Sequence, residues 1–153
     1  MRLAAIAQTF AAATVIALAC APASPAAQPY CPNPAHARPA PAPANLLAPL
    51  AKAFDVDVAA VRGASYVRCV GAILMGCYVG ANLVCDQADA RRANPGASAW
   101  CRAHPGAADI PMAATGHATI YAWSCVGDRA VAGKIVMPVD AGGYIADNWK
   151  EVR

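Results

Sequence analysis

At 153 residues the chain has room for one domain, and 12 Lys+Arg against nine Asp+Glu leave a formal charge of only +3. No basic stripe or run of like charge is present, which removes the usual footprint of a nucleic-acid binder or an electrostatic membrane patch. The hydrophobic fraction is 58%, yet alanine supplies much of it, and two Phe, three Trp and five Tyr are the only large aromatic anchors; so small an interior needs covalent help.

Residues 1–27 are expected to be a cleaved export signal. Arg2 starts it, "LAAIAQTFAAATVIALA" is its apolar run, and small residues offer cuts after Ala19, Ala26 or Ala27. An uncleaved anchor is the first alternative, but Gln8 and Thr9 interrupt the run and no stop-transfer charge cluster follows. Lipidation of Cys20 is the second, although "IALAC" carries alanine where a lipobox wants leucine. Residues 28–45 then read as a Pro/Ala-rich tether, because proline fixes φ, removes amide donors and favours extended backbone. His36 within it is expected to be solvated.

Residues 46–153 are expected to form a single disulfide-stabilised domain. Its helical preface, 46–63, places Leu46, Leu47, Leu50 and Phe54 at helical spacing after Asn45 as a cap, with a second turn from Asp57 that Gly63 ends. The β-rich core, 65–153, holds the strand-like runs "YVRCV", "ILMGCYV", "ATIYAWSC", "VAGKIVMPV" and "YIADNW". "CVGA" at 69–72 and "CVGD" at 125–128 predict two similar hairpins, since Gly-X in a two-residue loop suits a type II′ turn. Between the hairpins, Asn94 as cap and Pro95 at the first helical position predict a short helix ending at His104, with Ala97, Trp100 and Cys101 on one face. The fold class expected is α+β: a small, mainly antiparallel domain of two hairpins and a C-terminal strand with short helices.

Cleavage of the signal leaves Cys31, Cys69, Cys77, Cys85, Cys101 and Cys125, an even count suited to a disulfide framework. The five from Cys69 onward cannot all pair among themselves, so Cys31 is the natural sixth partner, which would tie the proline-rich arm to the domain; otherwise two thiols stay free. If Gly71-Ala72 is a two-residue turn, Cys69 lies opposite Leu74 and Cys77 opposite Tyr66, on opposite faces of the sheet, where they cannot bond each other; a three-residue loop would slip the register and reverse that. The pairs expected are Cys85 with Cys101, Cys69 with Cys125 and Cys77 with Cys31. Separations of eight residues supply no zinc knuckle, and no C-x-x-C redox motif exists, so neither a metal nor a cofactor is expected.

His117 is the best base candidate, but no nucleophile elbow supports a triad around it. Glu151 is the only glutamate, and the aspartates are scattered over turns, which leaves no carboxylate pair for glycoside hydrolysis. Tyr121 and Trp123 alternate on one strand; with His117, Arg129 and Trp149 they are the surface-binding candidates, although core packing is the stronger expectation for at least half of the aromatic ones. The function expected is a periplasmic or secreted non-catalytic binding module whose partner is an envelope protein or glycan. The alternatives are a small secreted hydrolase using His117 and a passive structural envelope protein.

The stretches "YVRCVG", "GCYVGANLVC", "IPMAATGHATIYAWSC" and "GYIADNWKEV" resemble a group of small exported cysteine-containing proteins of proteobacteria. The resemblance spans roughly residues 46–153. It implies export and a shared cysteine-containing domain, and it transfers no activity, ligand or catalytic residue to any position.

Overall fold

The last part of the Pro/Ala-rich stretch is built into the first sheet. In a computed structural model that describes residues 31, 38–80 and 83–153, Ala40–Pro41 (β1) pairs antiparallel with the strand that carries Tyr66 and Val67. Proline is tolerated there because β1 is an edge strand and needs no outward amide. The expected signal, Cys20 and His36 lie outside the described residues.

After a 3-10 turn at Ala44–Leu46, helix α1 spans Leu47–Phe54 and helix α2 spans Val58–Val61. Asn45 lies inside the 3-10 turn and is no cap, because the turn begins after Pro43, two residues earlier than expected. Asp57 does precede α2, without a side-chain capping bond, and Gly63 takes φ +71° after it. Leu46, Leu47 and Leu50 are buried as their spacing demands.

Strands β2 (Ser65–Val70) and β3 (Ile73–Tyr78) form the first hairpin, with Cys69 opposite Leu74 and Cys77 opposite Tyr66. Gly71 has φ +60° and Ala72 does not enter the positive region, which fits the expected turn. Helix α3 (Pro95–Ala103) starts as predicted, the Asn94 side chain accepting from the Ala97 amide at 2.9 Å. A short helix α4 (Met112–Thr115) leads to the second hairpin, β4 (Tyr121–Val126) and β5 (Arg129–Ile135). A bulge between Tyr121 and Trp123 interrupts its register. "YIADNW" is not a strand: Ala146–Asn148 form a 3-10 turn, and only Lys150–Glu151 (β6) join the sheet.

The result is α+β, with one four-stranded antiparallel sheet ordered β1-β2-β3-β6 and one two-stranded sheet, β4-β5. One face of the first sheet packs Cys69, Leu74 and Val152 against α1 and α2. Its other face buries Cys77 with Cys85, Tyr144 and Trp149. The second sheet packs Tyr121, Trp123 and Cys125 beneath Ala97 and Cys101 of α3.

All six cysteines among the described residues are bonded, in pairs other than those expected: Cys31–Cys69, Cys77–Cys85 and Cys101–Cys125. Cys77 cannot reach Cys31, because the predicted two-residue turn sends Cys69 and Cys77 to opposite faces and Cys31 lies with Cys69 on the α1 face. Cys69 cannot meet Cys125, because the two hairpins belong to separate sheets. Cys85 is taken by Cys77 across an eight-residue separation. That leaves Cys101, on the buried face of α3, for Cys125 directly below it.

One glycine of the first hairpin is required by packing rather than by a turn. A Cβ on Gly76 would run into Leu50 Cδ2 and stand 2.7 Å from Val152 Cγ2. Gly76→Ala is expected to cost about 1–3 kcal/mol through overpacking, read as a fall of several degrees in the midpoint of a thermal circular-dichroism melt. An unchanged midpoint would show that α1 shifts away from the sheet freely.

Candidate functional site

The most strongly charged interior group is Arg68, which is 2% exposed in the middle of β2. Period-two alternation puts it on the same sheet face as Tyr66, turned away from α1. Its guanidinium lies over two rings, 4.3 Å from the Tyr144 centroid and 4.5 Å from that of Trp149. Those rings meet edge to face at 5.7 Å. Arg68 Nη2 donates to Asp140 Oδ2, and Asp140 Oδ1 accepts from the amides of Gly142 at 2.9 Å and Tyr144 at 3.1 Å. Burial alone would raise the Asp140 carboxyl. The Tyr144 amide, the Arg68 guanidinium and the Gly142 amide together outweigh that effect and hold it below the ordinary value.

Among the described residues Arg68 Nε, Arg68 Nη1 and Trp149 Nε1 have no hydrogen-bond partner. The Arg68 side chain is only 1% exposed, and a Cβ on Gly142 would stand 3.2 Å from Nη1. The guanidinium is therefore shut off from solvent, and the cluster clamps the 138–149 segment to the first sheet. Sequence reasoning passed over Arg68, although a lone cation inside the run "YVRCV" was the available signal.

The surface-binding candidates do not assemble into a patch. Tyr121 and Trp123 are buried beneath α3, the indole Nε1 of Trp123 donating to Thr119 Oγ1 at 2.8 Å. Trp149 is buried against Arg68, while Arg129 is exposed beside the second hairpin turn and His117 is half-buried in the loop before β4. The correction has a simple physical cause: a chain with so few large side chains commits them to its core. Arg92, not Arg129, stacks on Tyr121, with Cζ 4.7 Å from the ring centroid.

Several openings lie on the surface of the described residues, and two of them are lined by pairs of aromatic residues. A polar one of about 430 Å³ is lined by Arg38, Tyr66, Asp86, Gln87 and Tyr144. The other, about 550 Å³, is an apolar groove between the end of α1, the end of β3 and β6, lined by Phe54, Val56, Tyr78, Gly80, Leu83, Asp147 and Lys150. Phe54 and Tyr78 meet edge to face at 6.1 Å, and Lys150 Nζ stands 5.0 Å from the Phe54 centroid. Gly80 leaves the space that the Tyr78 ring occupies. The Cys77–Cys85 bridge ties the two chain segments that bring Tyr78 and Leu83 to this groove.

No family model, curated protein or solved structure matches the chain. Its chemistry therefore has to be read from its own geometry. Among the described residues no three or more His, Cys, Asp or Glu side chains gather where they could hold a metal ion. No helix among them is long and apolar enough to cross a membrane. The groove has room for an apolar side chain against two aromatic rings and is lined by one cation, Lys150, and one carboxylate, Asp147.

Proposed function

We propose that the chain is an exported, non-catalytic binding module that takes an apolar side chain of an envelope or external protein into the groove around Phe54, Tyr78 and Leu83. The observation that carries this reading is the groove itself: Val56 and Leu83 are left 36% and 37% exposed there, beside aromatic rings and within a frame held by disulfides. Exposed apolar side chains gathered in one concave place favour a docking surface over a solvated one. The three disulfides support an oxidising compartment outside the cytoplasm. The resemblance to small exported proteobacterial proteins supports the same compartment.

The test is saturable binding of the purified oxidised protein to proteins of an envelope extract, followed by the same titration with Leu83→Asp and Val56→Asp. Placing a carboxylate in the groove is expected to weaken binding by at least tenfold, the size of a hot-spot loss. Thermal stability should be unchanged, since both side chains already face solvent. Equal binding by the variants and the unmodified chain would remove the groove from the account, and no saturable binding at all would remove the reading.

A further inference from the structure

The second sheet has two strands and therefore two outer edges, which differ in how they are finished. The β4 edge is covered by the preceding loop: the Ile110 amide donates to the Trp123 carbonyl at 2.9 Å, and the Cys125 amide donates to the Ala107 carbonyl at 2.7 Å. The β5 edge has no strand beside it among the described residues. In a hairpin with a two-residue loop, Arg129 and Val131 bond across to Val126 and Ser124, so the amides and carbonyls of Ala130 and Ala132 point outward. The Ala132 carbonyl confirms that direction by accepting from Arg92 Nη1 at 3.3 Å.

An open edge is ordinarily blunted by proline, by brevity, by a bulge, by charged side chains or by a covering element; the bulge of this hairpin and the cations of β5 deter a like-charged strand but leave the edge suited to an acidic one. β5 runs seven residues without a proline. Arg129, Val131, Gly133, Lys134 and Ile135 are all exposed, Ile135 at 59%. Arg92, Arg129 and Lys134 form no ion pair among the described residues, whereas the neighbouring Arg91 is engaged by Asp89 at 2.8 Å. Outward backbone groups of Ala130 and Ala132, of which the Ala132 carbonyl is held only by Arg92, therefore lie along one strip with cations that have no carboxylate partner among the described residues.

We propose that the outer edge of β5 is a docking site for an extended acidic segment of a partner protein, which adds as a third antiparallel strand and sets carboxylates against Arg92, Arg129 and Lys134. Backbone hydrogen bonds supply the attachment, and the alternation of side chains along the added strand supplies the selection. The incoming strand takes over the Ala132 carbonyl and releases the Arg92 guanidinium to a carboxylate. A second copy of this chain is the poorer occupant, because two-fold pairing of β5 with itself would bring both sets of cations to the same strip. This site is separate from the apolar groove and stands whether or not the groove binds.

The experiment titrates the full oxidised chain with an end-capped peptide of alternating glutamate and valine. Alternating lysine and valine serves as one control, and the glutamate peptide N-methylated on every second residue as another. The glutamate peptide is expected to bind saturably and to slow amide exchange at Ala130 and Ala132, the two residues before the bulge whose amides face outward. N-methylation and the Arg129→Glu/Lys134→Glu double variant are each expected to weaken it at least tenfold. Ala132→Pro removes an outward donor and should act in the same direction. The N-methylated peptide keeps the test decisive if that variant misfolds. No saturable binding, equal binding of the lysine peptide, or indifference to N-methylation would overturn the proposal. So would concentration-dependent dimerisation that protects the same amides without peptide.

Discussion

Full reduction is expected to unfold this protein at room temperature. The bridges close separations of 38, eight and 24 residues, and the chain-entropy relation assigns them about 4, 2.5 and 3.5 kcal/mol respectively. Their sum, roughly 10 kcal/mol, is as large as the whole stability of an ordinary domain. The three buried clusters are small and stand on different faces of two sheets, so no single core can hold the assembly once the covalent ties are lost. Denaturant titrations with and without reductant measure the difference. Cys101→Ala/Cys125→Ala isolates the tie between α3 and β4 and is expected to lower stability by about 2–5 kcal/mol. A reduced chain that kept native near-ultraviolet dichroism would show that packing alone suffices.

Asp140→Ala is expected to cost about 3–5 kcal/mol, far more than a surface ion pair, because it strands the Arg68 guanidinium in the interior. Asp140→Asn refines the test: it keeps an oxygen for the Gly142 and Tyr144 amides and removes only the charge. Arg68→Met combined with Asp140→Asn is expected to recover much of the loss, since an apolar side chain of similar length needs no counter-ion between Tyr144 and Trp149. The pair also fixes an acid response. The Asp140 carboxyl is held below its ordinary value of 3.8 in the folded state. Its contribution is therefore fully present above about pH 4 and is lost as pH falls through the folded value. Denaturant midpoints measured through that window should fall for the natural chain and fall less for Asp140→Asn. Parallel curves would show that another carboxylate governs acid unfolding.

Local chemistry made much of this fold legible. Gly71 and Gly127, each at φ +60°, mark both hairpins, and Asn94 followed by Pro95 marks the start of α3. These signals are local because turn and cap geometry depends on a few adjacent residues. The disulfide pairs were not legible, since pairing depends on which sheet each hairpin enters, a property of the whole chain. "YIADNW" misled for a related reason. Its aromatic and branched residues have strand character, but Tyr144 and Trp149 are drawn onto Arg68, and Ala146–Asn148 turn between them. The same long-range contact hid the buried arginine, whose stacking partners lie more than 70 positions along the chain. The aromatic residues offered as a surface went to the core, as was expected for at least half of them, and the groove is assembled from three separate stretches of sequence.

Counted from Cys31, the bridges join the first cysteine to the second, the third to the fourth and the fifth to the sixth. A polypeptide entering an oxidising space N-terminus first therefore presents each thiol's mate before any later competitor arrives. Pairing in order of arrival yields the native set, so maturation can proceed by oxidation alone, without reshuffling of wrongly joined sulfurs.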